Sequence, residues 1–143
     1  MNVDENFQLI NCWLSLSQIQ IQMTTELENI LQQKHQLSLN EFYVLLFLAK
    51  APENKLKLQE LQNMVGLSQS AMSRLISRFE AKGCGTLKRH ICVEDRRAIY
   101  TSLTNEGAKK LKDALTTFNE TLGNTLSEGN IKEELLNLID QFR

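Results

Sequence analysis

The sequence predicts a mainly α-helical domain carrying one small β-hairpin, and three observations predict it. Helix-start signals and apolar residues spaced three and four apart recur along most of the 143 residues. The chain has a single proline, Pro52, and it stands where a helix should stop. Only two short runs read as strands, "LKRHI" at 87–91 and "RAIYTSL" at 97–103. A hydrophobic content of 42% with 23% charged residues is that of one ordinary globular domain, so 1–143 is read as a single unit.

The first helix should span residues 6 to 34. Its apolar side chains fall at 7, 9, 10, 12, 13, 14, 16, 19, 21, 23, 27, 30 and 31, more than the one stripe a surface helix needs. Something besides its own lobe is therefore expected to cover it. Ser38 reads as the N-cap of the second helix, with Glu41 completing a capping box and Leu37 and Phe42 forming a hydrophobic staple. That helix should run to about Lys50.

Residues 56 to 83 read as two helices around a tight turn. Leu58, Leu61, Met64 and Val65 supply the first with a buried face, Gly66 ends it, and Ser68 caps the second with Leu67 and Met72 as its staple. On the second helix Met72, Leu75, Ile76 and Phe79 share one face, and Ser70, Ser73, Arg74, Ser77 and Ala81 the other. The polar face holds short hydroxyl side chains and a long cation. Such a face can approach a major groove about 12 Å wide, with Arg reaching guanine edges and Ser or Gln reaching bases or phosphates. An ordinary helical hairpin with a serine-rich surface is the alternative.

After Gly83 and Gly85, the two strand-like runs are joined by "CVEDR", a charged hairpin tip. A helix-turn-helix followed by a hairpin is a winged helix, in which an arginine at the tip can enter a narrow minor groove. Net charge agrees when counted by segment. The chain as a whole carries −1, but residues 53–103 hold nine Lys/Arg against five Asp/Glu, and the flanks are acidic.

The stretch "EDRRAIYTSLTNEG", with the order and length of the six expected helices, resembles the MarR family (multiple antibiotic resistance regulator) of bacterial winged-helix transcription factors. The resemblance implies a winged helix-turn-helix lobe at 36–103 between N- and C-terminal dimerisation helices at 1–35 and 104–143. It implies a homodimer on double-stranded operator DNA, expected to act as a repressor, with an imperfect palindrome whose half-sites lie about 10 bp apart. The expected DNA-contacting residues are Ser68, Gln69, Ser70, Ser73, Arg74, Ser77, Arg78, Arg89, Asp95, Arg96 and Arg97. In the family the wing aspartate, here Asp95, pairs with the arginine two positions on, Arg97, and aims it at the minor groove. Thr104 should cap the helix that starts at Asn105. The junction "KGCGTLKRH" is two residues longer than the commonest family pattern, and Gly85 is taken as its usual glycine.

The family's regulatory pocket lies between the dimerisation helices and the winged-helix lobe and takes a small aromatic or phenolic effector. Trp13, Ser17, Phe42 and Phe47 are the candidate lining here, with Met23 as a filler. A thiol-based redox sensor of the same fold, through Cys12, Cys84 or Cys92, is the alternative, as is a winged-helix module that binds protein and not DNA. No cation stands near Cys12 in sequence, so a buried structural thiol is expected there. Cys84 and Cys92 sit at the two ends of one extended strand, too far apart to bridge. Cys84, His90 and Cys92 lack a fourth ligand nearby, and no metal or other cofactor is expected. No phosphate loop, HExxH or GxSxG motif points to an enzyme. No apolar run reaches the roughly 18 to 20 residues of a membrane span and the first eight residues are acidic, so a cytoplasmic chain with no membrane partner is expected. At the far end, Ile131, Leu135, Leu138, Ile139 and Phe142 recur at helical spacing and should join the first helix in the dimer interface.

Overall fold

The computed structural model describes residues 3–82, 85–91, 99–127 and 130–143. Helix α1 runs Val3–His35 and α2 Leu39–Lys50. A short turn of 3-10 helix at Pro52–Asn54 leads into strand β1, Lys55–Lys57. Helices α3 (Leu58–Val65) and α4 (Gln69–Ala81) follow, then β2 (Leu87–Ile91), β3 (Ile99–Leu103), α5 (Asn105–Leu126) and α6 (Ile131–Gln141).

The expected hairpin is the larger part of a three-stranded antiparallel sheet, ordered β1-β3-β2. Strand β1 was not expected: Leu56 pairs with Thr101 on β3, and the helix predicted from residue 56 starts at Leu58. Three residues cannot display a period, so "KLK" carries no readable strand signal. In the fold Leu56 is buried between two exposed lysines, and Glu60 accepts the Lys57 N–H at 3.1 Å to open α3.

The caps fall where the side chains call for them. Ser38 Oγ accepts the Glu41 N–H while Glu41 Oε1 accepts the Ser38 N–H at 2.8 Å, a complete capping box. Gly66, at φ 83°, ends α3 in the left-handed region, and Ser68 Oγ accepts the Ala71 N–H at 3.2 Å. Helix α1 stops without a glycine. Gln36 takes φ 53°, and the Leu37 N–H closes back onto the Leu31 carbonyl, six residues earlier, while both leucines are fully buried.

Helix α2 lies between two apolar clusters. Leu39, Phe42 and Leu45 pack with Leu27, Leu31, Leu37, Phe79, Leu111 and Ala114 on one side. Val44 and Leu48 pack with Leu56, Leu61, Met72, Leu75 and Ile76 on the other. Leu87 and Leu103 of the sheet touch both clusters. The N-terminal part of α1 takes no share in this core: Phe7, Leu9, Ile10, Trp13, Leu14, Leu16, Ile19 and Ile21 are exposed. Among the described residues no helix is long and apolar enough to cross a membrane.

Sheet and α5 join without slack. The Thr104 hydroxyl donates to the Gly85 carbonyl and accepts the Gly107 N–H, and the Thr104 N–H donates to the Thr86 carbonyl at 3.1 Å. A Cβ on Gly107 would fall inside contact distance of the Thr86 carbonyl oxygen and 2.6 Å from Leu103 Cδ1. A backbone oxygen cannot turn aside. Gly107→Ala should therefore destabilise the fold by about 1 to 3 kcal/mol, read as a lower urea midpoint. Ser68→Ala should cost about 0.5 to 2 kcal/mol by the same measurement, because it uncaps α4.

Candidate nucleic-acid interface

The buried and open faces of α4 divide as its apolar spacing requires. Met72, Leu75, Ile76 and Phe79 are buried, whereas Gln69, Ser70, Arg74, Ser77 and Arg78 are exposed and Ser73 is half-buried. Ser73, Arg74, Ser77 and Arg78 line an open concavity of about 650 Å³. Arg74 and Arg78 stand one turn apart and, among the described residues, neither side chain enters an ion pair or hydrogen bond. Ser68 is exposed too, but its hydroxyl is already used as the cap and lies 3.4 Å from that of Ser70.

Arg89, on β2, is turned back onto α4. Its Nε donates to Glu80 Oε1 at 2.7 Å and its Nη2 to Ser77 Oγ at 3.3 Å. Both members of this ion pair are more than a third exposed, so its stabilising effect is below about 1 kcal/mol. Its structural effect is to neutralise Glu80, the one acid on α4, and to tie the wing sheet to that helix. His90, also on β2, bonds Ser102 Oγ across the strand pair at 2.8 Å.

Asp95, Arg96, Arg97 and Cys92 lie outside the described residues, as does Cys84. The strands that carry the wing are paired as far as Ile91 and Ile99. Sequence reading missed two further cations beside this sheet. Lys55 and Lys57 place their ammonium groups 5.5 and 5.9 Å from the centre of the Tyr100 ring. They reach it through β1, the strand too short to leave a periodic signal.

The four candidate pocket residues are not brought together within the chain. Phe42 is fully buried and stacks on Phe118 with ring centres 4.6 Å apart, and half-buried Phe47 faces the Tyr43 ring at 6.3 Å. Burial, and then the Glu28 carboxylate, hold the Tyr43 phenol above its ordinary range. Trp13 is 65% exposed and Ser17 half-buried. Both sit on the projecting part of α1, and Trp13 precedes Leu31, a neighbour of Phe42 in the core, by 18 residues or about 27 Å of helix. Cys12 is likewise exposed, not buried as expected, because the lobe covers α1 only from Leu27 onward.

Residues 35–98 match the family model described as MarR family. No curated protein matches the chain in sequence. Among solved structures, the chain is similar to AbsC, a MarR family transcriptional regulator from Streptomyces coelicolor, with TM-score 0.84 and 20% identity over 100% of this chain and 92% of that one. It is similar to Sco3205, a regulator of the same family and organism solved in complex with DNA, with TM-score 0.82 and 20% identity over 99% and 86% of the two chains. It is also similar to NadR solved in complex with 4-hydroxyphenylacetate, with TM-score 0.69 and 22% identity over 90% and 87%. The chain thus matches a MarR family model in sequence over residues 35–98 and shares the fold of MarR family regulators along its whole length.

Proposed function

We propose that the protein is a cytoplasmic, homodimeric transcriptional regulator that binds double-stranded DNA, a repressor seated on a palindromic operator and released by a small aromatic ligand. The observation that carries this reading is the open face of α4, where two arginines, unpaired among the described residues, stand with short polar side chains while the helix's acid is held by Arg89. Unpaired guanidinium groups a turn apart are suited to phosphate oxygens and guanine edges, and Ser70 and Ser73 permit close approach. The DNA complex of Sco3205 supports the same reading.

A second copy is proposed on the apolar surface that the lobe leaves open. Besides the eight exposed residues of α1, Leu136, Leu138 and Ile139 of α6 and its C-cap Phe142 are exposed, and exposed apolar side chains in such number favour an interface. A site that used both Trp13 and Phe42 would need the partner to complete it, given their separation. The 4-hydroxyphenylacetate held by NadR supports an aromatic acid as the ligand class. A thiol sensor is the second reading, favoured by the exposure of Cys12.

Duplexes selected from a random library and titrated by fluorescence anisotropy test the main reading. An imperfect palindrome should emerge, bound with affinity falling steeply as salt rises, by a slope of about 0.9 per phosphate neutralised. Binding that is absent or indifferent to salt would show instead a protein-interaction module. Arg74→Ala and Arg97→Ala should each weaken operator binding by about 1 to 3 kcal/mol, with stability changed by less than about 0.5 kcal/mol. Sedimentation should give a dimer. Adding 4-hydroxyphenylacetate should raise the melting temperature and weaken operator binding together, whereas release by peroxide alone would favour Cys12.

A further inference from the structure

Helix α4 ends at a polar junction that its DNA-side face does not explain. Lys82, the C-cap residue of α4, donates from Nζ to Glu41 Oε1 at 2.7 Å and to the Gln36 carbonyl at 3.0 Å. Gln36 is the left-handed residue at which α1 hands over to α2, and Glu41 is the capping-box acid of α2. The Glu41 side chain is 7% exposed, so this pair is far less screened than the Arg89–Glu80 pair. The junction is braced once more by Glu28 of α1, whose Oε2 accepts the Leu39 N–H at 2.9 Å. The ends of α1, α2 and α4 thus meet in one hydrogen-bonded unit.

Packing alone does not fill that meeting point. Gln32, Ser38, Glu41, Leu75, Arg78 and Lys82 surround a cavity of about 240 Å³. Apolar contact holds α4 through Met72, Leu75, Ile76 and Phe79, the last of them already in its final turn, and Lys82 lies just beyond the last of these contacts. The lysine crosses the gap. We propose that Lys82 is a positioning residue: through Glu41 and the Gln36 carbonyl it fixes the angle of the recognition helix relative to dimerisation helix α1, and so the spacing of the two recognition helices in the dimer. This rests on the DNA-binding reading above for its consequence, but not for its geometry.

The double variant Glu41→Gln with Lys82→Met tests it. Glutamine still accepts the Ser38 N–H, and removing both charges leaves no buried carboxylate unpaired, so the fold survives. A nitroxide attached to a ketone-bearing amino acid encoded at exposed position 70 reports the distance between α4 helices of the DNA-free dimer by pulsed electron resonance. The variant should broaden that distance distribution. Its affinity for the operator should fall about tenfold, while operators with half-sites moved by one base pair lose less, and the salt slope should stay that of the wild type. A wild-type distance distribution together with wild-type spacing preference overturns the proposal, whatever the melting temperature. A loss equal at all spacings with the salt slope reduced by about one makes Lys82 a phosphate contact and also overturns it. If the wild-type protein binds no duplex, the DNA-binding reading fails, and the distance distribution alone decides the role of Lys82.

Discussion

Burial of α2 on two sides is the constraint on which the rest of the molecule depends. Phe42, Val44, Leu45 and Leu48 are fully buried, the first and third in the cluster shared with α1 and α5, the others in the cluster shared with α3, α4 and β1. At roughly 1.5 to 3 kcal/mol each, four such side chains contribute an upper bound of about 6 to 12 kcal/mol, as large as the net stability of a typical domain. Neither cluster can form without this helix. The two parts of the chain are therefore joined by a packed rod and not by a linker, and any change of angle in α1 arrives at the helix-turn-helix through solid contact.

Charge is arranged with the same economy of parts. The acids of the winged-helix lobe that neighbour its cations are engaged: Glu53 with Lys55, Glu80 with Arg89, Glu41 with Lys82. Among the described residues Arg74 and Arg78, both on the open face of α4, enter none of these pairs. A chain of net charge −1 can in this way present a locally positive surface, because the field near a surface follows the unpaired charges and not the sum.

Much of the fold is legible in the sequence where the cause is local. Ser38 with Glu41, Ser68 and Thr104 each cap the helix that follows, and Gly66 takes the positive φ that ends α3. The faces of α4 also follow from its spacing of three and four. What was not legible depends on partners far along the chain. Strand β1 exists because β3, some 45 residues later, offers it an edge, and Lys82 finds Glu41 across 41 residues. The need for glycine at Gly107 is set by the Thr86 backbone that passes over it, not by its own dihedral angles. Trp13 and Ser17 stand apart from Phe42 and Phe47 within the chain for a similar reason. Composition marks aromatic residues as apolar, but the unbroken length of α1 carries two of the four away from α2.

Helix α1 also imposes an order on synthesis. Its C-terminal third meets α2 as soon as the next residues emerge from the ribosome, because Leu37 and Leu39 follow directly. Its partner α5 begins only at Asn105, some 70 residues after α1 ends, which at about 5 to 20 residues per second is a delay of roughly 4 to 14 seconds. Through that interval, and until another surface covers it, the segment from Phe7 to Ile21 shows water a row of large apolar side chains. For as long as that interval lasts, those side chains are open to apolar contacts other than the native ones.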